Sequence, residues 1–272
     1  MEIVGEIGIN ASGDVEIAKK LIDIAKFVGC DYVKFQKRTI DHVYTEEELN
    51  KPRESPWGTT TREQKHGIEF EVKEYREIDQ YCKQRGMKWF ASPFDVLSIG
   101  FLNYFKTPFI KIASPMLTNR VLLEACVGYD NQVILSTGMS TLKEVDEAVE
   151  ILGKDRIYCI MHCTSTYPTK TEEMNLRCIT SLRERYPWTK IGFSNHHPGL
   201  VFMSAAVALG AEMVEFHITL DKLSYGSDQA ASFNPEGIIK TCKYMRDVEV
   251  ALGDGIKVVY DSERPIMEKL RK

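Results

Sequence analysis

The chain has 272 residues and a mass of 31.1 kDa, with 35 basic against 39 acidic side chains and a sequence pI near 5.9. Its 43% hydrophobic and 27% charged composition excludes disorder, and its acidic balance argues against a general binder of nucleic acid or anionic membranes. Such a length holds one large core or two small ones, and small-molecule partners are expected.

Short apolar runs rich in β-branched residues alternate with longer segments of helical spacing. The predicted strands are Ile3 to Ile9, Tyr32 to Gln36, Lys88 to Ala91, Phe109 to Ala113, Gln132 to Ser136, Tyr158 to Cys163, Lys190 to Phe193 and Met213 to Ile218. Helical spacing marks Val15 to Val28, Phe70 to Arg85, Leu142 to Leu152 and Leu200 to Leu209. Strand–helix units without a sequence-level repeat predict the α/β class, as a closed parallel (β/α)8 barrel of the TIM type, with an open doubly wound sheet as the alternative. Residues 1–252 are expected to form this single domain, and residues 253–272 a linker or terminal arm without helical periodicity.

One connection breaks the rhythm. From Thr39 to Gly67 the chain is polar and rich in turn residues, which suits either a lid or a solvated surface excursion, and Glu46 to Glu48 reads as a solvated helix start. The uncharged run from Ile191 to Ala211 is not a membrane helix, because Ser194, Asn195, His196, His197 and Pro198 interrupt it. No signal peptide is visible at the N-terminus. The seven cysteines lack a framework spacing, so a reducing cytoplasm is expected, and Cys159 with Cys163 read as small core residues. Gly5 and Gly8 do not make a dinucleotide fingerprint.

Active sites of such barrels lie where strands end, and nearly every predicted strand ends in polar residues. The ends carry Glu6 and Asn10, Lys34 and Gln36, Ser92, Lys111 and Ser114, Ser136 and Thr137, His162 and Thr164, Ser194 and His196, then Glu215 and His217. His196 and His217 stand on neighbouring strands with Glu6 next to them. Two imidazoles and a carboxylate suit a divalent transition metal with open positions, although barrel histidines also serve as hydrogen-bonded polar groups or general acids and bases. His197 is a poorer ligand candidate, and His162 is equally readable as a core histidine. Lys34 and Lys111, with the serines, Thr137 and Gly138, suit an anion such as phosphate; a Schiff base with a carbonyl substrate is the other use of a barrel lysine.

The motifs EIGIN at 6–10, VKFQK at 33–37, SPWGT at 55–59, SPFD at 92–95, KIAS at 111–114, LSTGM at 135–139, HCTSTYPT at 162–169 and EFHITLD at 215–221 resemble the sialic acid synthase family along essentially the whole chain. The resemblance implies a (β/α)8 barrel that condenses phosphoenolpyruvate with an N-acylmannosamine-like aldose to give a sialic-acid-type nonulosonic acid and phosphate. It implies a divalent metal, manganese or magnesium, on His196 and His217, with Glu6 beside it and Glu6, Lys34 and Lys111 as catalytic residues. Phosphoenolpyruvate contacts fall on Lys34, Ser92, Lys111, Ser114, Ser136 and Ser194, and sugar contacts on Gln36, Tyr167 and Asp228. A homodimer or other homo-oligomer is implied, with neither nucleic acid nor membrane as partner.

Several positions depart from the family pattern. Asn195 stands where an acidic residue usually precedes the metal histidine, Pro115 and Met116 replace a glycine and an acidic residue, and only Gly226 and Asp228 remain of a ProGlyProAsp motif. Family members commonly continue into an antifreeze-like domain that grips the sugar's acyl group; this sequence ends at Lys272, where that linker would begin, so the grip is expected from elsewhere or the substrate lacks it. The rival readings are a related 3-deoxy-ulosonate synthase or aldolase acting on a non-acylated or phosphorylated sugar, and a non-catalytic barrel subunit.

Overall fold

The computed structural model describes residues 1–271. Eight parallel strands close into a barrel: β1 (Glu2–Glu6), β2 (Tyr32–Lys37), β3 (Lys88–Pro93), β4 (Phe109–Ile112), β5 (Gln132–Ser136), β6 (Ile157–Cys163), β7 (Lys190–Asn195) and β8 (Met213–His217). Each pairs with the next in chain order, and β8 closes on β1 with Glu6 opposite His217. The closed barrel expected from the sequence is therefore the fold, and the open sheet is not. Between and after the strands run α1 (Val15–Phe27), α2 (Val72–Arg85), α3 (Val96–Phe105), α4 (Arg120–Val127), α5 (Leu142–Leu152), α6 (Cys178–Arg185), α7 (Val201–Ala208) and α8 (Pro235–Leu252). Among the described residues, no helix is long and apolar enough to cross a membrane.

The first helix shows how local sequence sets an element. Asp14 caps it by accepting the Glu16 N–H at 2.7 Å, Ala18, Leu21, Ile22 and Ala25 bury one face, and Gly29 at φ 82° turns the chain toward β2. Alternation then sorts the strand residues into two sets. Outward residues such as Ile3, Val33, Phe35 and Leu135 pack against the helices.

Inward residues stack in layers. At the N-terminal end, Glu2 accepts hydrogen bonds from Tyr32 at 3.2 Å, Tyr158 at 2.8 Å and Lys190 at 3.0 Å. Above it Val4, Phe90, Phe109, Ile134, Cys159, Met161 and Met213 form an apolar plug. The plug fills the barrel below the polar strand ends, which face the open C-terminal side.

The segment between Thr39 and Gly67 is more ordered than its composition suggests. It holds short helices Ile40–Val43 and Glu46–Leu49, a hairpin pairing Pro52–Ser55 with Gly58–Thr60, and a helix over Thr61–Ile68. Capping boxes of Thr45 with Glu48 and Thr60 with Glu63 start two of these helices, so the acidic run does open a helix. Trp57 presses on Gly67, where a Cβ would come 2.1 Å from the indole Cγ, and meets the Tyr225 ring at 5.6 Å. Caps and one half-buried indole thus order a polar stretch and hold it over the barrel mouth, to which it contributes Ile40, Lys65 and Ile68.

Trp57→Ala should free this lid. Losing the aromatic contact makes local opening easier by about 1 kcal/mol, so limited proteolysis between residues 39 and 67 should quicken by about fivefold. Cleavage at the wild-type rate would show that the indole does not hold it.

Beyond α8, the chain carries a further short helix, Arg264–Leu270, with Ile256, Tyr260, Ile266 and Leu270 exposed. Its 7 residues are too few to show a period, which is why the sequence reads there as irregular.

Candidate active site

A cavity of about 380 Å³ opens at the C-terminal end of the barrel. The residues expected to hold metal, phosphoenolpyruvate and sugar line it: Glu6, Lys34, Gln36, Ser92, Lys111, Ser114, Ser136, Tyr167, Ser194, His196, His217 and Asp228; Thr137 and Gly138, expected beside the phosphate, lie outside the lining. Strand alternation explains the convergence, since Glu6, Lys34, Ser92, Lys111, Ser136, Ser194 and Glu215 all occupy inward positions near the C-terminal ends of their strands.

Glu215, read from the sequence as a polar strand end but given no role there, belongs to the site. It accepts Lys111 Nζ at 2.6 Å and Ser194 Oγ at 3.2 Å, and lies 3.7 Å from Lys34. Lys34 also approaches Glu6 Oε2 at 2.9 Å, and Gln36 Nε2 donates to Glu6 Oε1 at 3.0 Å. Its position two residues before His217, on the same face of β8, was the available signal.

All four charged groups on this floor are buried. Burial pushes the Glu6 carboxyl up, against the opposing charge of Lys34. Burial also works to raise Glu215, but Lys111 and Lys34 outweigh it and hold that carboxyl down at about 2. For Lys34, burial disfavours the charge, yet Glu215 and Glu6 more than compensate and raise the ammonium above its usual range. The floor is a preformed set of charges held in place by mutual pairing.

Hydroxyls and a close backbone surround it. The Ser136 hydroxyl is buried without a hydrogen-bond partner among the described residues, and it lines the cavity. At Gly138 a Cβ would come 2.7 Å from Ser114 Oγ and 2.8 Å from Cys163 Sγ, so only glycine lets this loop approach so closely. Cys163 is buried, as read from the sequence, and in addition lies 3.0 Å from Ser114 Oγ and borders the cavity; Cys159 belongs to the plug.

The two histidines meet as expected, with ring centroids 5.4 Å apart. His196 Nδ1 lies 2.7 Å from the Thr164 carbonyl, which assigns the proton to that nitrogen and leaves Nε2 to accept from Tyr167 Oη at 3.0 Å. Burial, helped by the charge of His217, pushes the His196 imidazolium down to about 3, so the ring is neutral with an available lone pair. His217 Nδ1 is buried without a hydrogen-bond partner among the described residues, at 3.5 Å from Asp228 Oδ2. These are the properties a nitrogen metal ligand needs, so the pair fits a divalent ion.

No group of three His, Cys, Asp or Glu side chains is gathered as a cage among the described residues. The carboxylate of Glu6 instead turns to Lys34 and Gln36, because a buried carboxylate is stabilised most by the nearest cation and donor.

The remaining candidates sort cleanly. His162 Nε2 lies 2.7 Å from the Met174 carbonyl and faces the helices, a satisfied core histidine whose imidazolium burial disfavours. The His197 ring packs edge-on against Phe202 at 4.7 Å, outside the cavity lining. Asn195 accepts the His197 N–H at 3.1 Å and donates to the His197 carbonyl at 2.7 Å, so it shapes the turn rather than touching either imidazole of the pair.

Residues 21–257 match the NeuB family. The chain belongs to that family. It is 37% identical to the human N-acetylneuraminate-9-phosphate synthase over 99% of this chain and 76% of that protein. It is 34% identical to the N,N'-diacetyllegionaminic acid synthase of Campylobacter jejuni, over 99% of this chain and 83% of that one. Among solved structures, the N-acetylneuraminic acid synthetase of Leptospira borgpetersenii, in complex with citrate, superposes with a TM-score of 0.85 at 30% identity, covering 99% of this chain and 92% of that chain. The resemblance read from the motifs is thereby met. This NeuB-family chain is an enzyme of the sialic acid synthase type, which joins phosphoenolpyruvate to a sugar.

Proposed function

We propose that this protein condenses phosphoenolpyruvate with an N-acylmannosamine-like aldose and water to give a sialic-acid-type nonulosonic acid and phosphate, using manganese or magnesium held by His196 and His217. The observation that carries this reading is the convergence of two metal-competent imidazoles and the paired lysines on one cavity floor. Bound there, the metal would polarise the aldehyde of the acceptor.

Lys34 and Lys111 hold the phosphate and carboxylate of the donor, with Ser92, Ser114, Ser136 and Ser194 as hydroxyl contacts. Glu6 and Glu215 keep the two ammonium groups oriented before the donor arrives, so little reorganisation is needed during reaction. Gln36, Tyr167 and Asp228 position the open-chain sugar above. The donor's methylene carbon attacks the aldehyde carbon and forms the new C–C bond, while the aldehyde's π pair moves to its oxygen, which takes up a proton and becomes a hydroxyl. The resulting cation at the enol-phosphate carbon accepts water, which Glu6 orients and which gives up one proton; the added hydroxyl then loses its proton as the keto C=O forms and the bond to the phosphate oxygen breaks, releasing phosphate.

We place the reaction in a reducing cytoplasm, which suits seven unpaired cysteines, and in a homodimer or other homo-oligomer. A non-catalytic barrel offers no reason to keep two buried lysine–glutamate pairs, which are costly to bury. Phosphate release from phosphoenolpyruvate, measured with manganese and a panel of aldoses, tests the reading. Release with an N-acylmannosamine-type aldose is expected. Turnover of non-acylated sugars alone would favour the 3-deoxy-ulosonate rival, and folded, metal-loaded protein that releases none would refute it.

A further inference from the structure

Two segments flank the cavity mouth and touch each other away from the reacting groups. One is the lid, whose start is gripped by Asp95, which accepts the Thr39 N–H at 2.7 Å and the Thr39 hydroxyl at 3.0 Å. The other is the loop after β8, which carries Asp228 into the cavity lining. Its base is tied to His217 itself, since the Phe233 N–H donates to the His217 carbonyl at 2.8 Å, and the Ser232 hydroxyl donates to the Asp228 carbonyl at 2.7 Å. At its tip Leu223 is 92% exposed.

Tyr225 joins this loop to the lid. Its ring meets Trp57 edge to face at a centroid distance of 5.6 Å, and its hydroxyl reaches the Glu54 carbonyl at 3.5 Å. Three residues further on, Asp228 Oδ2 lies 3.5 Å from His217 Nδ1, which has no hydrogen-bond partner among the described residues. Between Tyr225 and Asp228 the chain is braced. Gln229 Nε2 donates to the Tyr225 carbonyl at 3.4 Å, and Ser227 Oγ donates to Asp228 Oδ1 at 2.8 Å. Gly226, at φ 146°, lies so close to Gln229 that a Cβ would come 3.1 Å from its Cγ. The segment from Tyr225 to Gln229 is therefore one turn, with a lid end and a histidine end.

We propose that Tyr225 is a positioning residue: through this turn, order in the lid and occupation of the His196–His217 pair by a divalent cation come to depend on each other. This rests on the reading of that pair as metal ligands. A cation held by His217 attracts the Asp228 carboxylate beside it, which fixes the turn and so presents the Tyr225 ring to Trp57. Linkage makes the effect reciprocal, so a lid anchored by Tyr225 tightens the cation by the same factor. An aromatic pair of this geometry is worth about two- to tenfold in an equilibrium. Tyr225 lies outside the cavity lining, so it acts through Asp228.

Manganese alone is the probe. Limited proteolysis between residues 39 and 67 is followed with and without it, and its dissociation constant is read by paramagnetic resonance, in the wild type, Tyr225→Ala, Tyr225→Phe and Leu223→Ala. Tyr225 is 37% exposed, so its truncation leaves the barrel core intact. In the wild type, saturating manganese should slow cleavage by about two- to tenfold. Tyr225→Ala should lose that protection and bind manganese more weakly by the same factor. Tyr225→Phe should restore both, because the ring makes the contact and the hydroxyl bond, at 3.5 Å, is long. Leu223→Ala, at the exposed tip of the same loop, should match the wild type. Equal protection in the wild type and Tyr225→Ala, or the same loss in Leu223→Ala, would overturn the coupling and leave the ligand reading standing. Wild-type cleavage that bound manganese leaves unchanged would do the same. Manganese that does not bind the wild type would instead refute the ligand reading, and the coupling with it.

Discussion

Replacing His217 by alanine is expected to abolish tight manganese binding and to lower turnover by about a thousandfold or more, since the loss removes the group that would fix the metal. Paramagnetic resonance of added manganese reads the binding independently of activity. His217 sits in the last position of β8, opposite Glu6, with its ring against Tyr167 at 5.7 Å. Its truncation leaves the plug below untouched, so circular dichroism should remain that of the wild type. Wild-type binding and turnover in the variant would contradict the ligand assignment.

Lys111→Met is expected to damage both stability and activity. The side chain is 4% exposed and its ammonium lies 2.6 Å from Glu215, so the substitution strands a buried carboxylate. Breaking such a pair from one side costs about 3–5 kcal/mol, whereas replacing both partners by apolar groups is often near neutral. Denaturant unfolding should therefore show a large loss in Lys111→Met and substantial recovery when Glu215→Leu is added. Activity should stay lost in both, because the donor's phosphate and carboxylate lack a cation. Equal stability of wild type and Lys111→Met would mean that the pair is not formed.

The same pair sets a pH dependence. Glu215 is held below its usual value of 4.5, at about 2, so its contribution is complete above pH 4.5 and is lost as pH falls toward 2. Lys111→Met should lose most of that acid sensitivity, readable as a flatter unfolding midpoint between those pH values.

Strand positions were legible because each strand carries a two-residue period ending in a polar residue, as in Lys34 and Gln36 or Glu215 and His217. Periodicity also placed Glu6 beside His217, which the register confirms. Which inward residue pairs with which was not legible, since the Lys111–Glu215 contact joins residues 104 apart and depends on the barrel's closure. The mouth was harder still. Tyr225 lies in a turn-rich loop past β8, and Lys65 lies in a polar stretch whose order comes from two capping boxes and Trp57 rather than from apolar spacing. Cys163 was legible as buried, but not as a wall of the cavity, because a small thiol reads alike in both places.

The most direct test of the central claim follows both products in one reaction: phosphate and the new keto acid, from phosphoenolpyruvate carrying labelled oxygen between carbon and phosphorus, with manganese and N-acylmannosamine or its 6-phosphate. The proposed chemistry predicts one nine-carbon acid for each phosphate released, with the label in the phosphate because the carbon–oxygen bond breaks. Phosphate without the acid, or label retained in the keto acid, would contradict it.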